Sequence, residues 1–165
     1  MNNLILIGMM GSRKTTIGGA ISEQLGWKHL DTDKMIEDMQ GMAIREIFDR
    51  YGEKYFRSLE AKLIEQLKSI ESTVISTGGG VILNPLNTMA LREMGLIVYL
   101  RANAETLVSN LEGQTQSRPL LDHQSIEVIL KVRHSLYMNA AELVIDIDLL
   151  SNQEIMDMIL HHMER

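Results

Sequence analysis

The chain has 165 residues, 45% hydrophobic and 23% charged, with 16 Lys and Arg against 22 Asp and Glu and a formal net charge of −6. This is the balance of a globular domain large enough to bury a core, and its negative charge argues against nucleic acid as the main partner. There is no cysteine, so disulfides and thiol catalysis are excluded; no apolar run reaches the roughly 20 residues of a membrane span, and residues 1–12 lack the basic start of a signal peptide, so a cytoplasmic protein with no membrane partner is expected.

NLILIG (3–8) is a continuous apolar run closed by glycine, the pattern of a buried parallel strand. GMMGSRKTT (8–16) then nearly fits the phosphate-cradling pattern G-x-x-x-x-G-K-[ST]. Gly8, Lys14 and Thr15 fall in place, but Arg13 stands where the pattern has its second glycine. Ile17, Ala20, Ile21 and Leu25 recur at helical spacing and Gly26 closes that helix. KHLDTD (28–33) reads as a short strand ending in two aspartates, followed by helical patterns over 34–67 with breaks near Gly41 and Gly52. TVISTGGG (73–80) is a strand running into a glycine triplet, and LIVYLRA (96–102) a fourth strand. A helix is expected over 104–111, a polar lid over 112–124, a helix over 125–141, a last strand in LVIDI (143–147) and a last helix over 151–163. Five strands alternating with helices imply one α/β domain over 1–165, a parallel sheet covered on both faces. The five histidines show no metal-ligand spacing.

A strand, a glycine-rich turn and a helix in succession are the context that makes this motif credible as a phosphate site, the plain alternative being a glycine-rich turn before any helix. The backbone N–H groups of such a turn, here Gly11, Ser12, Arg13, Lys14, Thr15 and Thr16, point at phosphate oxygens, and the helix dipole adds positive charge. Lys14 is expected to reach the β- and γ-phosphates and Thr15 to ligate Mg²⁺. Glycine at position 13 would permit positive φ and close approach to phosphate. A forced backbone at Arg13 costs on the order of 1–3 kcal/mol, roughly 5- to 150-fold in affinity if ATP binding bears it. A guanidinium beside phosphates is itself attractive, and sequence leaves that balance open.

On the acceptor side, strand alternation puts Asp31 and Asp33 on one side, facing the crevice where ligands of α/β sheets bind. One carboxylate can hold a metal's water shell and the other can accept a proton from a substrate hydroxyl; an N-cap and a solvated turn is the plain alternative. Ile126, Ile129, Leu130, Arg133, Leu136 and Ala140 form one helical stripe. A guanidinium on that apolar face needs an anionic partner. Arg57 and Glu60, at i,i+3, are either a surface salt bridge or part of a clamp for a substrate carboxylate. Gly78, Gly79 and Gly80 offer bare backbone to a ligand. Arg118, in SRPLLD, is either a lid arginine that closes over a transferred phosphoryl group and neutralises its charge or a solvated loop arginine.

LIGMMGS, LDTD, IREIFDRYGEKYFRSLE, VISTGGG, SRPLL and the R..LY of Arg133 to Tyr137 together resemble the shikimate kinase family in order and spacing over essentially the whole chain. The resemblance implies a single-domain P-loop kinase fold of the nucleoside-monophosphate-kinase type, with a five-stranded sheet and a mobile lid. It implies transfer of the ATP γ-phosphoryl group to the 3-hydroxyl of shikimate by a monomer. By position it makes Asp33 the base, and Arg57, Arg133, Glu60 and the three glycines the shikimate-binding set, within a helical region at about 33–61. Thr15 and, through water, Asp31 would serve Mg²⁺, and Lys14 and Arg118 would flank the phosphoryl group. Three departures lie on the nucleotide side. Arg13 replaces glycine, Asn110 stands where the family usually has an arginine on the adenine, and Gly19 where a basic residue is common. Two readings follow, an active kinase and a shikimate-binding pseudokinase or form impaired in ATP use by Arg13.

Overall fold

The computed structural model describes residues 3–112 and 123–165. The strands β1 (Asn3–Ile7), β2 (Lys28–Asp31), β3 (Thr73–Ser76), β4 (Leu96–Arg101) and β5 (Leu143–Asp146) form one parallel sheet in the order β2-β3-β1-β4-β5. All five residues of β1 are buried, as its uniform apolar run requires of a central strand. In register, Leu6 lies beside Ser76 and Val98, Asp31 beside Ser76, and Arg101 beside Asp146. The carboxyl ends of all five strands therefore line one edge.

Helices α1 (Lys14–Leu25) and α8 (Asn152–Met163) pack together on one face. Right-handed crossovers place α4 (Glu53–Gln66), α5 (Pro85–Met94) and α7 (His123–Ala140) on the other. Between β2 and α4 run α2 (Thr32–Gln40) and α3 (Ile44–Tyr51), ended at Gly41 and Gly52, both at positive φ. The sixth helix, α6 (Ala104–Glu112), follows β4. Sequence periodicity assigns no element between Gly80 and Leu96, yet α5 forms there. Its signal is a start rather than a stripe: the Asn84 side chain accepts from the Leu86 N–H, and Pro85 occupies the first turn. No helix among the described residues is long and apolar enough to cross a membrane.

One polar residue ties the start of this layout. Asn3 is buried; its amide donates to the carbonyls of Ile70 (2.8 Å) and Met94 (3.0 Å), and its side-chain oxygen accepts from the Thr73 N–H (3.1 Å). It thus joins the chain entering β1 to the chains leading into β3 and β4. Asn3→Ala removes the side-chain partner of three backbone groups, two of them buried, and is expected to lower the unfolding free energy by about 3 kcal/mol. A urea titration checks this; an unchanged midpoint would remove Asn3 from the supports of the sheet.

Candidate active site

The phosphate loop turns by means of positive φ at Gly8 (148°), Gly11 (82°) and Arg13 (66°). At Gly11 a Cβ would lie 2.8 Å from the Leu107 carbonyl oxygen, so the loop presses backbone against α6. Asn110 reinforces that contact by donating its amide to the Gly11 carbonyl at 2.8 Å. Lys14 is only 9% exposed, and its ammonium folds back on the Gly8 and Met9 carbonyls at 2.8 Å each. Ser12 is buried beneath it, and the Ser76 hydroxyl donates to the Lys14 carbonyl at 2.9 Å. Thr15 and Thr16 are exposed at the start of α1, and the Thr15 hydroxyl donates to Asp31 Oδ2 at 2.7 Å.

Arg13 keeps the left-handed backbone (φ 66°, ψ 19°) that glycine adopts without cost. Its guanidinium reaches across to the β5–α8 loop. It donates to the carbonyls of Ile147 (2.6 Å) and Leu150 (3.1 Å from each terminal nitrogen) and to Asn152 Oδ1 (2.9 Å). Partial burial pulls its pKa down, and Asp148 opposes that shift. The strain expected from sequence is present, but the guanidinium is not turned onto the phosphate loop's own groups.

Asp31 and Asp33 do not share a strand. Asp31 ends β2 and caps α2, accepting from the Lys34 N–H at 3.1 Å, while Asp33 sits in the first turn of α2. The strand–helix switch, rather than β alternation, sends both toward the crevice. Asp31 thus caps α2 with one oxygen and accepts from Thr15 with the other. Two cavities meet here. One of about 280 Å³ follows the phosphate loop, and one of about 460 Å³ lies between α2, α3, α4, α7 and the glycine triplet. Asp33, Met10, Glu37 and Gly79 line both, so Asp33 stands at their junction.

In the larger cavity Arg57 pairs with Glu60 at 3.0 Å and with Glu53 at 3.4 Å. Glu60 is 1% exposed, which rules out a solvated surface bridge. Its Oε2 is buried without a hydrogen-bond partner, and burial raises its pKa to about 6 against the opposing pull of Arg57. Arg133 faces the same cavity. The glycine triplet acts through missing Cβ atoms: one at Gly78 would strike Asp33, and one at Gly80 would strike Arg57. Their N–H groups are not uniformly bare, since that of Gly78 donates to the Thr32 hydroxyl at 3.0 Å.

The stripe on α7 needs one correction. Leu136 is exposed at 36%, and Tyr137 takes the buried position, stacked on Tyr99 and donating its hydroxyl to the Gly79 carbonyl. Burial raises the Tyr137 pKa. The larger cavity also has an apolar lining that the sequence pattern does not single out, Ile44, Phe48 and Phe56, joined by Ile129 of the α7 stripe. The signal was available, because Phe48 and Phe56 flank the Gly52 break and pack ring on ring at 5.0 Å. Arg118 and most of the expected lid lie outside the described residues.

The family model for shikimate kinase matches residues 10–164. This chain belongs to the shikimate kinase family. A shikimate kinase of Caldicellulosiruptor bescii is 45% identical over 143 residues, covering 84% of this chain and 83% of its own. One from Caldanaerobacter subterraneus subsp. tengcongensis is 40% identical over 151 residues, covering 89% and 87%. Among solved structures, the shikimate kinase of Acinetobacter baumannii in complex with shikimate superposes with a TM-score of 0.91 at 31% identity, covering 99% of this chain and 93% of its own. The five-stranded parallel P-loop kinase fold expected from sequence is the fold of this family member.

The raised pKa of Glu60 has a sign that can be measured. A carboxyl group titrating near 6 when folded and near 4.5 when unfolded stabilises the protein fully below about pH 4.5, and that contribution is lost as pH rises through 6. Relative to Glu60→Gln, this protein should lose about 2 kcal/mol of unfolding free energy between pH 4 and 7. Parallel stability curves for the two proteins would contradict the burial assigned to this carboxylate.

Proposed function

We propose that the chain transfers the γ-phosphoryl group of ATP to the 3-hydroxyl of shikimate, giving shikimate 3-phosphate and ADP, in the synthesis of chorismate and the aromatic amino acids. The observation that carries this reading is the position of Asp33 where the phosphate-loop cavity opens into the acceptor cavity. A hydroxyl held beside Asp33 faces a phosphoryl group lying on the loop. As the acceptor oxygen bonds to the γ-phosphorus and the bond to the β-phosphate oxygen breaks, the hydroxyl proton passes to the Asp33 carboxylate.

The acceptor cavity suits a small hydroxylated acid. Arg57 and Arg133 supply cations for one carboxylate, and the phenylalanines and isoleucines lie against carbon. The inward carboxylate of Glu60 holds Arg57 in that geometry. Lys14 follows the transferred charge by exchanging its carbonyl partners for phosphate oxygens, and Arg118 adds a second cation. The paired oxygens of Thr15 and Asp31 fit a hard divalent cation. They would hold Mg²⁺, Thr15 directly and Asp31 through water, where it supplies neutralisation of phosphate charge. The same reading takes the protein as a monomer and places it in the cytoplasm, where ATP is at hand. The intact placement of Lys14, Thr15, Asp31 and Asp33 favours an active kinase over a pseudokinase.

Steady-state kinetics on two variants test these roles. Asp33→Asn should lower kcat by about 10²- to 10⁴-fold with the KM for ATP little changed. Arg133→Ala should weaken shikimate binding by about 2–5 kcal/mol and ATP binding far less. Shikimate affinity unchanged by loss of Arg133 would remove that residue from the site.

A further inference from the structure

The acceptor cavity opens on the β3 and β2 side of the phosphate loop. A nucleotide with its phosphates on residues 8–16 therefore extends to the other side, toward β4 and β5. That side is walled by the loop from Ile147 to Ser151 that starts α8. Two features of the loop suit a flat heterocycle with an exocyclic amine. Leu149 is 96% exposed, an apolar surface that the fold itself does not use. On either side of it are the carbonyls of Ile147 and Leu150, acceptors for an N–H donor.

Both carbonyls already accept from Arg13, at 2.6 and 3.1 Å, with Asn152 Oδ1 as a further acceptor at 2.9 Å. The planar N–H donors of a guanidinium offer the same chemistry as the 6-amino group of adenine. The remaining nitrogen, Nε, is buried without a partner, so the guanidinium is held from its far end. We infer that Arg13 is a specificity-determining residue that occupies the base-reading carbonyls of the nucleotide site and so suppresses discrimination between 6-amino and 6-oxo purines. Strain at the phosphate loop would weaken every nucleotide alike; occupation of these carbonyls falls on the one whose amine would use them. The inference rests on the kinase reading above.

Titration calorimetry with Mg²⁺–ATP and Mg²⁺–ITP, which differ in the 6-substituent, separates the two effects. Three proteins are compared: this chain, Arg13→Gly, and Arg13→Ala, which keeps a Cβ on the left-handed backbone but has no guanidinium. This chain should bind ATP and ITP within about threefold of each other, and both variants should raise the ATP-to-ITP affinity ratio by about tenfold, the worth of one restored hydrogen bond. A ratio that stays constant while Arg13→Gly alone strengthens both nucleotides would overturn the inference and assign the effect to backbone strain. A constant ratio with unchanged affinities would overturn it as well. Absence of binding of either nucleotide by all three proteins would overturn the inference together with the kinase reading, and is thereby told apart from a constant ratio.

Discussion

A tight reversal of the backbone directly after the central strand is the constraint on which the rest of the molecule depends. Between Gly8 and Arg13 three residues hold positive φ, and the turn delivers Lys14 and Thr15 to the first turn of α1. Because β1 lies between β3 and β4, this turn divides the crevice into two sides. The β3–β2 side receives the acceptor cavity, and the β4–β5 side remains for the rest of a nucleotide. Asn110 and Ser76 hold the turn from those two sides, through the carbonyls of Gly11 and Lys14. An arginine in the reversal is tolerated because its side chain finds acceptors on a loop more than 130 residues away. Those hydrogen bonds offset a left-handed backbone that costs on the order of 1–3 kcal/mol.

The acceptor side is governed by charge taken out of water. Arg57, Arg133, Asp33 and Glu60 interact closely enough that each of the other three shifts the ionisation of Glu60. Burying charge is costly unless it is paired, and here Arg57 is shared between Glu53 and Glu60 while Glu60 keeps one oxygen without a hydrogen-bond partner. The cluster is thus held by the chain's own side chains. The glycine triplet serves the same end by letting Asp33 and Arg57 lie against backbone.

The sheet was legible because its central strands are continuous apolar runs, and because glycines at 26, 41 and 52 mark helix ends at positive φ. Asp31 and Asp33 were legible as a pair but not in mechanism, since β alternation cannot foresee that a helix begins between them. The α7 stripe read from sequence includes Leu136 and omits Tyr137 for a related reason. Leu136 and Tyr137 both fit an α7 stripe within one residue, and the choice was made by Tyr137 finding Gly79 and Tyr99, both distant in sequence. The clamp of Arg13 on Ile147 and Leu150 was not legible at all, because no local pattern records a contact between the turn after β1 and the turn after β5.

The central claim is phosphoryl transfer, so the most direct measurement is ADP release from Mg²⁺–ATP in a coupled assay, with and without shikimate. Release is expected to be at background without shikimate and to rise on its addition, with one equivalent of shikimate 3-phosphate formed per ADP. Saturable shikimate binding with ADP release still at background would contradict the claim and leave a protein that binds the acceptor without phosphorylating it.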